Sequence, residues 1–216
     1  MRQEAVYIVG GGPSLKGFDF NSLKFKDTIT INKSIFDVPN PNYFITVDYT
    51  FLKKIKTQKI YFDSIDTTKI FIADFHFPYI KEKRGRIVDT RISLVYELQD
   101  FDLIIKSRQI NGIGYEYKDF RTGGNSGYCA LQLAVLLGYK KIYLLGIDLN
   151  KEAVTHYHGG YGEKSNVFNT RLPNYLGQFK QGLKQLKQDK IVEVYSCSKT
   201  SALNNIIDYV DINTLI

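Results

Sequence analysis

Long apolar runs are missing from this chain. Its most apolar stretches, residues 131–137 and 142–147, are broken by polar residues or glycine well short of the roughly 20 residues that cross a bilayer, which excludes a membrane helix. The opening Met1-Arg2-Gln3-Glu4 runs straight into a strand-like segment, without the apolar stretch and small-residue cleavage site of a secretory signal, so a cytoplasmic protein is expected. Cysteine is scarce: Cys129 and Cys197 alone suit a reducing compartment and exclude a disulfide framework. Together with three scattered histidines they make no recognised zinc spacing. Neither the G-x-G-x-x-G fingerprint nor the P-loop pattern occurs, which argues against a dinucleotide dehydrogenase or a Walker-type kinase. No linker, repeat or low-complexity segment interrupts residues 1–216, so one domain is expected. There is no basic run either, although the formal charge of +7 favours anionic partners: a phosphate-bearing donor, an acidic lipid or a nucleic acid.

What is present is an alternation of short apolar strands and helices, with 44% hydrophobic residues, ordinary for a globular fold. Residues 5–9 are apolar, β-rich and halted by three glycines, as a buried first strand would be. Residues 28–32 and 42–48, separated by the turn-forming Pro39-Asn40-Pro41-Asn42, predict the next strands, and 59–62, 69–73 and 103–106 predict three more. From residue 125 an Asn or Ser cap precedes Tyr128, Leu131, Leu133, Ala134 and Leu137 at helical spacing, ended by Gly138. Residues 140–147 follow as an apolar strand. Residues 172–188 predict an exposed amphipathic helix, 191–196 a last strand and 201–207 a closing helix. Helices that feed buried strands in this way predict an α/β fold with a Rossmann-like, doubly wound, mostly parallel sheet.

The chemistry gathers at the ends of those strands. Gly10-Gly11-Gly12-Pro13-Ser14 follows the first strand, where glycines let backbone amides approach a phosphate and Ser14 adds a hydroxyl; a plain tight turn is the other reading. Thr122-Gly123-Gly124-Asn125-Ser126-Gly127 opens the best helix, so its amides join the positive end of a dipole. Arg121 before it is a phosphate partner or a surface cation. Asp48 and Asp148 end strands, where open α/β sheets put their ligands, and are read as holding a ribose hydroxyl, an acceptor or magnesium, or as capping the next turn. His156-Tyr157-His158-Gly159-Gly160-Tyr161-Gly162 gathers imidazoles and phenols in a glycine-rich loop, suited to taking a proton from a hydroxyl and donating to a departing phosphate. Its other readings are a metal site and a polar loop. Ser196-Cys197-Ser198-Lys199-Thr200-Ser201 either hydrogen-bonds a base or phosphate through Ser198 and Ser201 or caps the helix after it.

These motifs, in order, resemble the bacterial sialyltransferases of glycosyltransferase family 42 and the related MptE-like (DUF115) group. The likeness rests on G-x-G-P-S-L at residues 10–15, a strand ending at Asn32, residues 126–148 as the closest match, and the serine loop at 197–206. It leaves residues 49–120 unmatched. Compact length and His-Tyr-His-Gly-Gly look like short phage-encoded MptE-like members. The resemblance implies a variant of the GT-A fold and a transferase that moves a sugar from a CMP-sugar-like donor to a hydroxyl acceptor, such as a glycan, with inversion and no required cofactor. Gly12, Ser14, Asn32, Ser126 and Gly127 would line the donor site, with Gly10, Gly11, Gly124 and Asn125 in the same loops. His158 would be the general base, with His156 beside it, and Tyr157 and Tyr161 would steady the leaving phosphate. Gly11 replaces an asparagine of the sialyltransferase turn, and Asp48 stands where an asparagine contacts donor there. Two alternatives follow: a magnesium-dependent pyrophosphokinase with Asp48 and Asp148 on the metal, and a glycosyltransferase whose acceptor is a modified base of phage-type DNA.

Overall fold

In Ala5–Val9, Val6 and Ile8 alternate with Tyr7 and Val9, so the segment offers an apolar side chain to each face of a sheet. This is β1, the strand around which the others are arranged. The computed structural model describes residues 4–48, 51, 56–74, 80–83, 86–89, 101–108, 111–151, 156–158 and 165–216. The remaining strands are β2 (Thr28–Ile31), β3 (Tyr43–Thr46), β4 (Thr68–Asp74), β5 (Ile80–Lys83), β6 (Arg86–Asp89), β7 (Leu103–Ser107), β8 (Lys141–Leu145) and β9 (Glu193–Ser196). The helices are α1 (Lys59–Ser64), α2 (Ser126–Leu136) and α3 (Ser165–Asp189).

Seven strands form one sheet in the order β7-β4-β3-β2-β1-β8-β9, every pairing parallel, while β5 and β6 make a separate antiparallel hairpin. The fold is Rossmann-like α/β, as the strand and helix alternation predicts. From β1 the chain works outward to β7, then crosses through α2 to β8 on the far side of β1. The direction of winding therefore reverses between β1 and β8, the place where such sheets open a crevice beyond their carboxyl ends.

The two faces of the sheet are covered differently. Val6, Ile8, Ile142 and Leu144 pack with α2 and with Phe179, Leu183 and Leu186 of α3. Residues 126–135 of α2 are all buried, as expected of a helix enclosed between a sheet and a second helix. Tyr7, Val9, Tyr143 and Leu145 face the other way, against Leu15, Leu23 and the C-terminal Ile212, Leu215 and Ile216. There Tyr7, Tyr143 and Tyr195, paired in register across three strands, stack with ring centroids 5.0 and 5.4 Å apart.

Three elements differ from the sequence expectation. Residues 59–62, expected as a strand, lie in α1: only Phe62 is buried, Ile60 is 90% exposed, and Lys59 pairs with Asp63 one turn on at 2.6 Å. A three-residue apolar run cannot distinguish the two periods. The long helix begins at Ser165, before the expected start at residue 172, and carries Pro173 within it. The closing helix is a single 3-10 turn, Ala202–Asn205.

Two stability tests follow from the packing. The Tyr128 hydroxyl is buried against Gly182 of α3 and finds no hydrogen-bond partner among the described residues. Tyr128→Phe should therefore leave stability unchanged or raise it by up to about 1 kcal/mol; a urea titration showing a clear loss would contradict this packing. Burial also pushes the Cys197 thiol up from 9.0 to about 12, and burial, with Tyr143 and Cys197 nearby, pushes the Tyr7 phenol up from 10.0 to about 12. Both groups are protonated longer in the folded chain than in the unfolded one. Their contribution is intact below about pH 9 and is lost as pH rises toward 12, so the urea midpoint should fall steadily between pH 9 and 11.

Candidate functional site

The pairing of β1 with β8 continues past the strands. Gly10 N–H donates to the Leu145 carbonyl at 2.8 Å and Gly12 N–H to the Gly146 carbonyl at 2.8 Å. Ser14 then donates twice to the Asp148 carboxylate, from its amide to Oδ2 at 2.8 Å and from its hydroxyl to Oδ1 at 2.6 Å. Asp148 is buried, and glycine is required opposite it: a Cβ at Gly12 would stand 2.5 Å from Asp148 Oδ2 and 2.6 Å from the Gly146 carbonyl oxygen. The first glycine turn is thus a clamped platform, with three of its amides already engaged. Among the described residues, the Gly11 amide is the one in residues 10–14 left to face a ligand.

On the other flank, β2 and β3 end in a set of mutually fixed polar groups. Asn32 is left-handed, φ 54°, and its Oδ1 accepts from the buried Thr46 hydroxyl at 2.7 Å, which leaves the amide nitrogen as the donor side. Thr46 Oγ1 also accepts from the Asp48 amide at 2.9 Å. Ser34 donates to the Val9 carbonyl at 2.7 Å and so ties the exit of β2 to β1. Val47 N–H reaches Ser126 Oγ at 3.2 Å, bringing the start of α2 to the exit of β3. Ile147 joins the two glycine loops, its Cδ1 lying 2.6 Å from a Cβ built at Gly10 and 3.3 Å from one built at Gly127.

Asn125 caps α2 by accepting from the Tyr128 amide at 2.8 Å. The amides of Ser126 and Gly127, in the first turn of an 11-residue helix, are orphan donors at the positive end of its dipole. The anion-binding capacity expected of two loops therefore concentrates on this helix start. Gly124, left-handed at φ 75°, faces Asn174 and Tyr175 of α3 instead.

The histidine loop lies on the first turn. Tyr157 N–H donates to the Gly11 carbonyl at 2.9 Å. His156 and His158 are stacked, centroids 5.0 Å apart, and a Cβ at Gly11 would meet His156 Cδ2 at 2.8 Å and His158 Nε2 at 3.4 Å. Position 11 is glycine because imidazoles fill the space of its side chain. Tyr157 Oη turns away from that space and donates to Asp37 Oδ2 at 2.5 Å. Tyr161 lies outside the described residues. No three His, Cys, Asp or Glu side chains among the described residues gather as a metal-ligand set.

Solved sialyltransferases share this fold. The sialyltransferase CST-II in complex with a trisaccharide acceptor and CMP has 19% identity and a TM-score of 0.57, over 95% of this chain and 85% of that one. The monofunctional alpha-2,3-sialyltransferase Cst-I from Campylobacter jejuni gives 19% and 0.56, over 98% and 82%. CstII from Campylobacter jejuni with the substrate analogue CMP-3FNeuAc gives 20% and 0.53, over 96% and 86%. No protein-family model matches the chain, and no curated protein does. At these identities the likeness is one of fold. Among the described residues no helix is long and apolar enough to cross a membrane.

The serine loop supports the site from behind. Ser201 caps the 3-10 turn Ala202–Asn205 by accepting from Leu203 N–H at 3.1 Å and donates to the Ile147 carbonyl at 2.9 Å. Ala202 N–H donates to the Asp148 carbonyl at 2.8 Å, while buried Ser198 bonds within its own loop. Arg121 is held by Asp119 at 2.7 Å and by the Asn111 carbonyl at 2.7 Å. Residue-type patterns did not point to Ser34, Asp37 or Thr46. A serine two residues after a strand-ending asparagine is a turn signal that would have found Ser34; Asp37, 120 positions from Tyr157, carries none. Gly12→Ala should cost about 1–3 kcal/mol in chemical denaturation, since its Cβ would strike backbone and a fixed carboxylate. Gly11→Ala, which meets only imidazoles able to turn, should cost clearly less; equal losses would refute the clamp.

Proposed function

We propose that this chain is a glycosyltransferase that moves a sugar from a nucleotide-activated donor, of the CMP-sugar kind, to a hydroxyl acceptor, with His158 as general base. The observation that carries the reading is the stacked histidine pair seated on Gly11, at the point where the sheet reverses its winding and beside the uncommitted amides of α2. The shared fold with sialyltransferases solved with CMP and a trisaccharide acceptor, or with a CMP-sugar analogue, supports the donor class of this reading.

In this reading the donor phosphate faces the Ser126 and Gly127 amides and the Gly11 amide, with the Asn32 amide nitrogen adding a donor. His158 Nε2 takes the proton of the acceptor hydroxyl as its oxygen attacks the anomeric carbon. The bond from that carbon to the phosphate oxygen breaks, the nucleoside monophosphate leaves with the electron pair, and the configuration inverts. Hydrogen bonds in place of a cation would neutralise the leaving group, so no metal is required. A magnesium-dependent pyrophosphokinase would need Asp148 as a ligand, but both its oxygens accept from Ser14.

Incubated with CMP-, UDP- and GDP-sugars, the protein should hydrolyse a CMP-sugar slowly in the presence of EDTA, and His158→Ala should lower the rate by about 100-fold or more. Silence across the panel, or activity abolished by EDTA and restored by magnesium with ATP, would overturn the reading; a product on DNA rather than on a glycan would relocate the acceptor.

A further inference from the structure

Tyr157 belongs by sequence to the group of candidate acid-base residues, yet its hydroxyl is taken up by Asp37. It donates to Asp37 Oδ2 at 2.5 Å, its ring lies against Phe20 with centroids 5.4 Å apart, and its amide is bonded to the Gly11 carbonyl at 2.9 Å. Asp37 is itself fixed. It ends the 3-10 turn Asn32–Phe36, its amide donates to the Ser34 carbonyl at 3.1 Å, and Ser34 is bonded through its hydroxyl to the Val9 carbonyl at 2.7 Å. The path from Val9 through Ser34, Asp37 and Tyr157 to Gly11 therefore closes on β1. The two histidines are the sequence neighbours of Tyr157, which is held through both its main chain and its side chain.

We propose that Asp37 and Tyr157 form a latch that seats the histidine loop on the first glycine turn, so that both are positioning residues for His156 and His158 and Tyr157 does not touch the leaving phosphate. Asp37 closes the same 3-10 turn that begins with Asn32, so the element that presents Asn32 to the crevice also holds the loop carrying the histidines. The latch rests on the transferase reading only for its kinetic consequence.

The latch itself is tested on the apo protein, without any substrate, by residue-resolved hydrogen exchange. The Tyr157 amide should be protected in the parent protein. Tyr157→Phe, which keeps the ring on Phe20, and Asp37→Ala should each speed its exchange about 10-fold or more, while the β1 amides of Val6 and Ile8 are unchanged. Asp37→Asn retains an oxygen that can accept from the phenol and should restore most of the protection. If Tyr157 exchange is unaffected by both Tyr157→Phe and Asp37→Ala, the latch does not exist. Where a CMP-sugar is turned over, Tyr157→Phe should lower kcat about 10-fold with KM for donor changed less than about 3-fold, because the seated fraction of the loop falls and the donor's own contacts stay. A loss of donor binding with kcat preserved would return Tyr157 to the phosphate and overturn the proposal. An inactive parent protein with the exchange pattern intact would sink the transferase reading and leave the latch standing.

Discussion

Parallel strands normally part company at their carboxyl ends, and the crevice of an open sheet exists because they do. Here β1 and β8 stay joined for several residues beyond their last ladder pair, through Gly10, Gly12 and finally the Ser14–Asp148 clamp. Much else depends on this constraint. It requires glycine at position 12, and it gives a buried carboxylate two donors, the condition under which burying a charge is tolerable. It also removes three of the first turn's amides from ligand binding and leaves that of Gly11, so the turn acts mainly as a floor. In the proposed reading phosphate affinity comes mainly from the start of α2, which the Val47–Ser126 bond and the Ile147 side chain bring to the same floor.

Holding that arrangement strains the backbone in places. Asn32 and Leu149, at the exits of β2 and β8, are both left-handed, φ 54° and 51°, and Gly146 joins them at 64°. A side chain in that region costs about 1–2 kcal/mol, less for asparagine. Each strained residue is fixed by its surroundings: Asn32 by the Thr46 hydroxyl, Leu149 by burial in the core beneath α2. Strain at the two exits flanking β1, offset by specific contacts, is the pattern of a site whose geometry is over-determined.

The sheet and its site were unequally legible. Strands β1 and β8 were readable because each alternates between two buried faces and then stops at glycine, and α2 because Asn125 caps it and Gly138 ends it with φ 84°. The region of α1 misled because Ile60 and Tyr61, though apolar, are exposed, so the run says nothing about which face is buried. The glycine turns and the histidine loop were found by residue type; the histidines pack at Gly11, and Ile147 bridges Gly10 and Gly127. Their internal hydrogen bonds were not readable. Whether an amide in a glycine turn is available to a ligand or engaged by a neighbouring carbonyl depends on the register with β8, a pairing more than 130 residues away. A separation of 120 positions hid Asp37, an ordinary polar residue until Tyr157 is folded onto it.

Two carboxylates at this site are thus committed to holding chain, Asp148 to the first turn and Asp37 to the histidine loop. A free carboxylate beside a phosphate-bearing donor would repel it, and one saturated by N–H and O–H donors presents far less field. The acid-base work of the proposed reaction is then assigned to the imidazoles. Such a division, with anionic groups as structural clamps and imidazoles assigned to the proposed proton transfer, suits a chain with an excess of seven positive charges and a substrate whose leaving group is a phosphate.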